Sequence, residues 1–206
     1  MRFILIRHGE TDHNVENRMS GWTEAMLSPL GIKQAQALRN RLAHVDIDRL
    51  ITSGMERANE TAHIGLPDLY KSAETMEQLK EMNFGTMESL TLKAIQDDFP
   101  EDYEELLKMD GTYVFPEGES LQGFHQRIQS AATDLLKYPK EETIAVVAHS
   151  GTIRCLLAGW IANDWQAHWK FRIDHCSITI VEFHDGYPVL RLCNDTTHLE
   201  DPLATP

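Results

Sequence analysis

With 206 residues, 19 basic against 32 acidic side chains, a formal net charge of −13 and 42 % apolar residues, the chain has the make-up of one soluble domain with a sizeable core. That acidic balance repels polyanions, so nucleic acid and anionic membranes are excluded as general partners, while a local cationic pocket for a small anion stays open. Three scattered cysteines (Cys155, Cys176, Cys193) form neither a disulfide framework nor a Cys-based zinc site, and no leader peptide or membrane-length apolar run is visible, which points to the cytoplasm.

Phe3–Ile6 is a continuous apolar run, as expected of a central strand covered on both faces, and it ends at Arg7-His8-Gly9-Glu10-Thr11. Ser28-Pro29 supplies an N-cap and a first-turn proline; Ile32, Ala35, Leu38 and Leu42 then recur at helical spacing, predicting a helix over 29–43. A second strand, Arg49–Thr52, is followed by Ser53 with Glu56 three residues on, a capping box that predicts a helix from there to about Ile64. Residues 85–118 differ in character. They hold the pairs Asp97-Asp98, Glu101-Asp102 and Glu104-Glu105, two prolines and a helical patch at Tyr103–Lys108, and read as a small lid-like insertion over one end of the sheet.

Leu121, Phe124, Ile128, Ala131 and Leu135 mark the buried stripe of a long helix. Thr143–Ala148 is a third strand, after which Ile153, Leu156, Leu157, Trp160 and Ile161 trace one helical face. Ser177–Phe183 and Val189–Leu192 flank Asp185-Gly186 as a hairpin. The aromatic cluster Trp160, Trp165, Trp169 and Phe171 reads as core packing, with a homodimer interface as the alternative. Strands alternating with helices predict an α/β fold: a three-layer α/β/α sandwich with a mostly parallel central sheet, a single domain over 1–206 carrying the 85–118 insertion over the active site.

In such sheets ligands bind beyond the carboxyl ends of the parallel strands. There the sequence brings Arg7 and His8, His149-Ser150-Gly151, and Arg57 one turn into a capped helix: two guanidiniums and two imidazoles, a site for a phosphoryl-type anion. For Arg57 the alternative is an ion pair with Glu56 or Glu60. The ten histidines include no HExxH, and His8 with His13 lacks a third ligand, so no metal is expected; no phosphate- or dinucleotide-binding glycine loop appears either. His44, His63, His125, His168, His175 and His184 read as surface or core-edge residues.

Arg7-His8-Gly9-Glu10-Thr11 with Asn14 resembles the signature of the histidine phosphatase superfamily, the phosphoglycerate-mutase-like group. The resemblance extends through Glu16-Asn17-Arg18, Ser20-Gly21-Trp22, Leu27-Ser28, Ser53–Ala62 around Arg57, Leu79-x-Glu81-x-x-Phe84-Gly85, Gly118-Glu119-Ser120, His149-Ser150-Gly151 and Asn194…His198-Leu199. It implies that His8 becomes phosphorylated, that Arg7, Arg57 and His149 surround the phosphoryl group, and that Glu81 protonates the leaving oxygen. Asn14, Ser20, Gly21, Ser150 and Gly151 would contact substrate. A neutral attacking imidazole fits this role, because two nearby guanidiniums disfavour imidazolium.

His149 is followed by Ser-Gly-Thr, as in the phosphatase branch that includes α-ribazole phosphatases, rather than by the Gly-Asn of mutases. Met87-Glu88-Ser89 departs from the Trp-Glu-Gly of many small phosphatases, and Glu16–Trp22 is mutase-like. The resulting expectation is a phosphomonoesterase without metal or cofactor, acting on a small phosphorylated metabolite: a sugar phosphate, phosphoserine, phosphoglycerate or nucleoside-type phosphate. A bisphosphoglycerate-dependent mutase and a phospho-ligand-binding protein are the alternatives.

Overall fold

The computed structural model describes residues 1–108 and 111–199, and its elements run β1 (Arg2–Arg7), α1 (Asp12–Val15), α2 (Pro29–Leu42), β2 (Arg49–Thr52), α3 (Glu56–Gly65), α4 (Pro67–Tyr70) and β3 (Glu74–Thr75). They continue with α5 (Leu92–Asp98), α6 (Pro100–Leu107), α7 (Leu121–Leu135), β4 (Thr143–Ala148), α8 (Ser150–Leu157), β5 (Ile178–His184) and β6 (Tyr187–Asp195). The six strands form one sheet in the order β3-β2-β4-β1-β5-β6. The first four run parallel and β5 is antiparallel to β1, so the sheet is mixed with a parallel centre.

Alternation along the central strands divides the core into two faces. Phe3, Leu5, Ile144 and Val146 point to one side, where Phe124, Ile128 and Leu135 of α7 and Ile153 and Leu156 of α8 cover them. Ile4, Ile6, Ala145 and Val147 point to the other, against Leu38 and Leu42 of α2 and Ala58 and Ala62 of α3. Both strands therefore need apolar residues at every position, which is why they read as unbroken runs. The three-layer α/β/α architecture follows.

Residues 85–118 contain α5 and α6. Thr91 caps α5 by accepting from the Ala94 N–H (3.1 Å), and α6 starts on Pro100, not at Tyr103. Met87, Ile95 and Phe115 of this stretch are buried in one cluster with Phe124 and Ile128, so it is packed onto the body.

Three expectations need correction. The Ser53–Glu56 capping box does not form: α3 begins at Glu56 with Met55 as its N-cap, and the Ser53 hydroxyl is drawn to His149 instead. The helix after β4 does not run as one α-helical face through Ile161, because α8 ends at Leu157 and a π-helical turn covers Ala158–Ala162. That turn lets Trp160 stack on Phe3 (centroids 5.0 Å) and meet Phe183 edge-on, whereas Trp169 is 55 % exposed. His125 and His168 are buried, not at the surface or core edge; His175 is half-buried, as a core-edge residue is, and lies beside His8. No helix among the described residues is long and apolar enough to cross a membrane.

Candidate active site

Sheet register creates the site. Arg7 pairs with Ala148, and the His8 N–H donates to the Ala148 carbonyl (2.9 Å), so His8 and His149 are adjacent residues leaving adjacent strands. Their ring centroids are 5.2 Å apart. Ser53, the first residue beyond β2, joins them through its N–H to the Val147 carbonyl (3.3 Å). Gly9 is required by packing, since a Cβ there would lie 2.7 Å from the Gly31 carbonyl oxygen.

Hydrogen bonds determine both ring tautomers. His8 Nδ1 lies 2.7 Å from the Gly9 carbonyl, which only accepts, so Nδ1 carries the proton and Nε2 keeps a free lone pair. Arg57 Nε donates to His149 Nδ1 (3.2 Å); the ring proton is therefore on Nε2, which donates to Ser53 Oγ (2.8 Å). Burial is the main force holding the His8 imidazole neutral, well below the ordinary histidine range, followed by Arg57, His149, Arg7 and His175. The guanidinium effect predicted from sequence is present but secondary. His149 is held down in the same way, by burial and then by Arg57, Arg7 and Arg127.

The two arginines are used differently. Arg57 is fully buried and donates from Nη1 to the Thr23 carbonyl (3.1 Å) and from Nη2 to the Ser20 and Gly21 carbonyls (3.3 and 2.6 Å). With Nε on His149, one of its five N–H donors is left, so it acts mainly through its field. It makes no ion pair with Glu56 or Glu60; the Glu60 carboxylate accepts from the Leu27 N–H instead (3.1 Å). Arg7 donates to the Ile173 carbonyl (2.8 Å) and to His175 Nε2 (2.7 Å), while its buried Nε has no protein partner. Burial lowers Arg7 to about 10, against the opposing pull of Glu81 and Asp174, and it stays charged at neutral pH. His175, which the sequence offered only as a lone histidine, thus orients Arg7 and lies 6.0 Å from the His8 ring.

Glu81 enters from an irregular segment. Its Oε2 accepts from the Gly151 N–H (2.9 Å) and its Oε1 from the Met82 N–H (2.9 Å). Gly151 admits the carboxylate, because a Cβ there would lie 2.3 Å from Glu81 Oε1. The segment is held by Arg127, which donates to the Gln78, Lys80 and Glu81 carbonyls and forms a two-pronged pair with Glu119 (2.8 and 2.7 Å).

The remaining expected contacts are mixed. Asn14 Oδ1 accepts from the Thr11 N–H (3.0 Å) and lies 3.0 Å from His175 Nε2. Ser20 Oγ is buried with no protein partner. The N–H groups of Gly21 and Gly151 are taken by Glu88 and Glu81, and Ser150 opens α8 beside His149, where the helix N-terminus favours an anion.

Glu88, the residue of Met87-Glu88-Ser89 that keeps the Glu of the Trp-Glu-Gly pattern, is a clamp: its two oxygens accept from the N–H groups of Gly21, Trp22, Thr23 and Phe84 (2.7–3.2 Å). This holds the loop whose carbonyls grip Arg57. Glu88→Ala leaves four backbone donors without an acceptor, and urea unfolding should show a loss of about 2–4 kcal/mol.

Acid should weaken the fold through its histidines. Burial pulls His168 and His175 down to about 3, and His8 and His149 also lie well below 6.5. Unfolded, each titrates near 6.5, so below that pH the unfolded chain binds protons the folded one refuses. Stability is complete above about pH 6.5 and declines toward pH 3, by about 1.4 kcal/mol per pH unit for each histidine. His168→Gln should flatten the measured slope by one such increment.

An apolar cavity of about 390 Å³ adjoins the site. Met19, next to Ser20, and Met82, next to Glu81, line it together with Phe84, Tyr103, Phe115 and Trp169. Among the described residues, no group of three or more His, Cys, Asp or Glu is placed to hold a metal ion.

The chain is similar to known proteins along nearly its whole length. Residues 3–196 match the family described as histidine phosphatase superfamily (branch 1). The chain is 32 % identical over 195 residues to an adenosylcobalamin/α-ribazole phosphatase of Escherichia coli (strain K12), covering 94 % of this chain and 96 % of that one. It is 26 % identical over 208 residues to a probable phosphoglycerate mutase GpmB of Yersinia pestis (strain Pestoides F), covering 98 % and 96 %. Among solved structures, that of a putative α-ribazole-5′-P phosphatase from Escherichia coli str. K-12 substr. MG1655 superposes with a TM-score of 0.91 at 31 % identity, covering 95 % and 96 %.

Proposed function

The chain belongs to the histidine phosphatase superfamily, branch 1, and from that premise we propose that it is a phosphomonoesterase working through a phosphohistidine on His8. The observation that carries this reading is the His8 ring itself: neutral, protonated on Nδ1 toward Gly9, and set between Arg7 and Arg57 with Nε2 free. Nε2 attacks phosphorus as the ester P–O bond breaks, and Glu81 gives its proton to the departing alkoxide. Arg7 binds the phosphoryl oxygens with its open donors, while Arg57 and His149 oppose the charge that builds in the transition state. In the second half Glu81 takes a proton from water, whose oxygen attacks phosphorus. The N–P bond breaks, inorganic phosphate leaves, and His8 is neutral again.

The cavity supports a finer reading of the substrate. A mutase must hold a second charged phosphate, but the described lining of the cavity has no basic side chain and is mostly apolar, its ionised group being the Glu105 carboxylate. An α-ribazole 5′-phosphate, a ribose phosphate joined to an apolar bicyclic base, matches that surface. The test is phosphate release in excess chelator from α-ribazole 5′-phosphate, phosphoserine, 3-phosphoglycerate and ribose 5-phosphate. Chelator-resistant turnover, highest for the ribazole ester, is expected. Isomerisation of phosphoglycerate outrunning phosphate release would replace the reading with the mutase.

A further inference from the structure

One cation at the site has no task in the chemistry above. Arg154 lies three residues beyond Gly151 on α8, so the two share a helix face, and a long helical side chain leans back toward the start of its helix. Gly151 offers no side chain to block it, and the Gly151 N–H already meets Glu81. Glu81, Asp174 and Arg7 are accordingly the charges that Arg154 feels or exerts itself upon. On its other side the guanidinium carbon stands 5.8 Å from the centroid of the Trp169 ring, and Trp169 lines the apolar cavity. Arg154 thus stands at the boundary between the phosphoryl site and the cavity.

One of its donors is open. Arg154 Nε is buried without a partner, in contrast to Arg57, which uses four of its five donors, and to the fully engaged Arg127. A buried guanidinium donor left unmade is costly, so the group is built for an acceptor that arrives from outside. Charge narrows the kind of acceptor. Glu81 and Asp174 already compensate the guanidinium, and a substrate carboxylate there would face both of them. What stays open is hydrogen bonding.

We propose that Arg154 is a substrate-binding residue that donates to an uncharged hydroxyl or ring-ether oxygen of the alcohol, between the phosphoryl group at His8 and an apolar ring in the cavity. The substrate class is a sugar phosphate carrying an apolar cyclic substituent. The inference rests on the phosphatase reading and assigns the middle of the substrate, which neither the phosphoryl site nor the cavity specifies.

Wild type, Arg154→Met and Arg154→Lys are compared on α-ribazole 5′-phosphate, on phenyl phosphate, which has the ring without the hydroxyls, and on 3-phosphoglycerate. Arg154→Met should lower the kcat/KM ratio of the ribazole ester over phenyl phosphate roughly 10–30-fold, through KM rather than kcat, with Arg154→Lys between the two. Inhibition by inorganic phosphate and Tm should not follow that ratio. Equal losses on all three esters with weaker phosphate inhibition would assign Arg154 to the phosphoryl group and overturn the proposal. A loss confined to 3-phosphoglycerate would make its partner a carboxylate and also overturn it, as would an unchanged ratio in an active enzyme. Absence of turnover by wild type on every ester is a different failure: it brings down the phosphatase reading, and this inference with it.

Discussion

His8→Ala should reduce phosphate release by at least about 10⁴-fold and leave no labelled phosphoenzyme on acid quench, with unfolding free energy within about 1 kcal/mol of wild type. The two halves of this expectation have separate causes. Nε2 is the one free ring nitrogen at the strand ends with a lone pair open to phosphorus: His149 has both nitrogens engaged, and His175 Nε2 accepts from Arg7. No other group can take its place. The fold tolerates the loss because the imidazole bonds only to the neighbouring Gly9 carbonyl, while the register is held by the His8 backbone N–H. Arg7 and Arg57 remain, so inorganic phosphate should still bind. A normal level of phosphoenzyme in the variant would place the covalent step elsewhere.

Glu81→Gln should slow alkyl phosphates by about 10²–10³-fold while costing p-nitrophenyl phosphate less than about tenfold. An alkoxide is too basic to leave unprotonated, whereas p-nitrophenolate leaves without help. The variant carries a cost unrelated to proton transfer. Both carboxylate oxygens accept from backbone N–H groups, Gly151 on one and Met82 on the other, so an amide must turn its NH₂ against one of them. That misfit is common to both esters and cancels in their ratio. Leaving-group dependence is therefore the diagnostic quantity, and equal losses on both esters would remove Glu81 from the acid role.

The parts of this molecule that repeat or alternate were legible in its sequence. Unbroken apolar runs identified β1 and β4, Ser28-Pro29 the start of α2, and Asp185-Gly186 the turn between β5 and β6. The topology of parallel sheets then brought Arg7, His8 and His149 to one edge. What escaped were residues whose role lies in a single hydrogen bond. Ser53 satisfies the local rule for a cap, but His149, almost a hundred positions away, holds its hydroxyl. Glu81 and Glu88 belong to a stretch with no period of its own, held by side chains bonded to backbone, and it was family resemblance that picked out Glu81; Arg127 lies on α7, whose apolar stripe gives no sign of the carbonyls it binds. His175 precedes a strand and has no neighbouring motif; its partner Arg7 is visible only in the folded chain.

The position of β1 bears on how the molecule is made. Arg2 pairs with Thr143 on one side and Glu182 on the other, so β1 is an interior strand whose two neighbours are both synthesised much later. Until then Phe3–Ile6 has two unpaired edges and two uncovered faces, conditions that favour intermolecular association. Refolding from denaturant should be slow for a domain of this size and lose yield as protein concentration rises. Because His8 and Arg7 stand at the end of that strand, a nascent chain stopped before β5 should not bind phosphate.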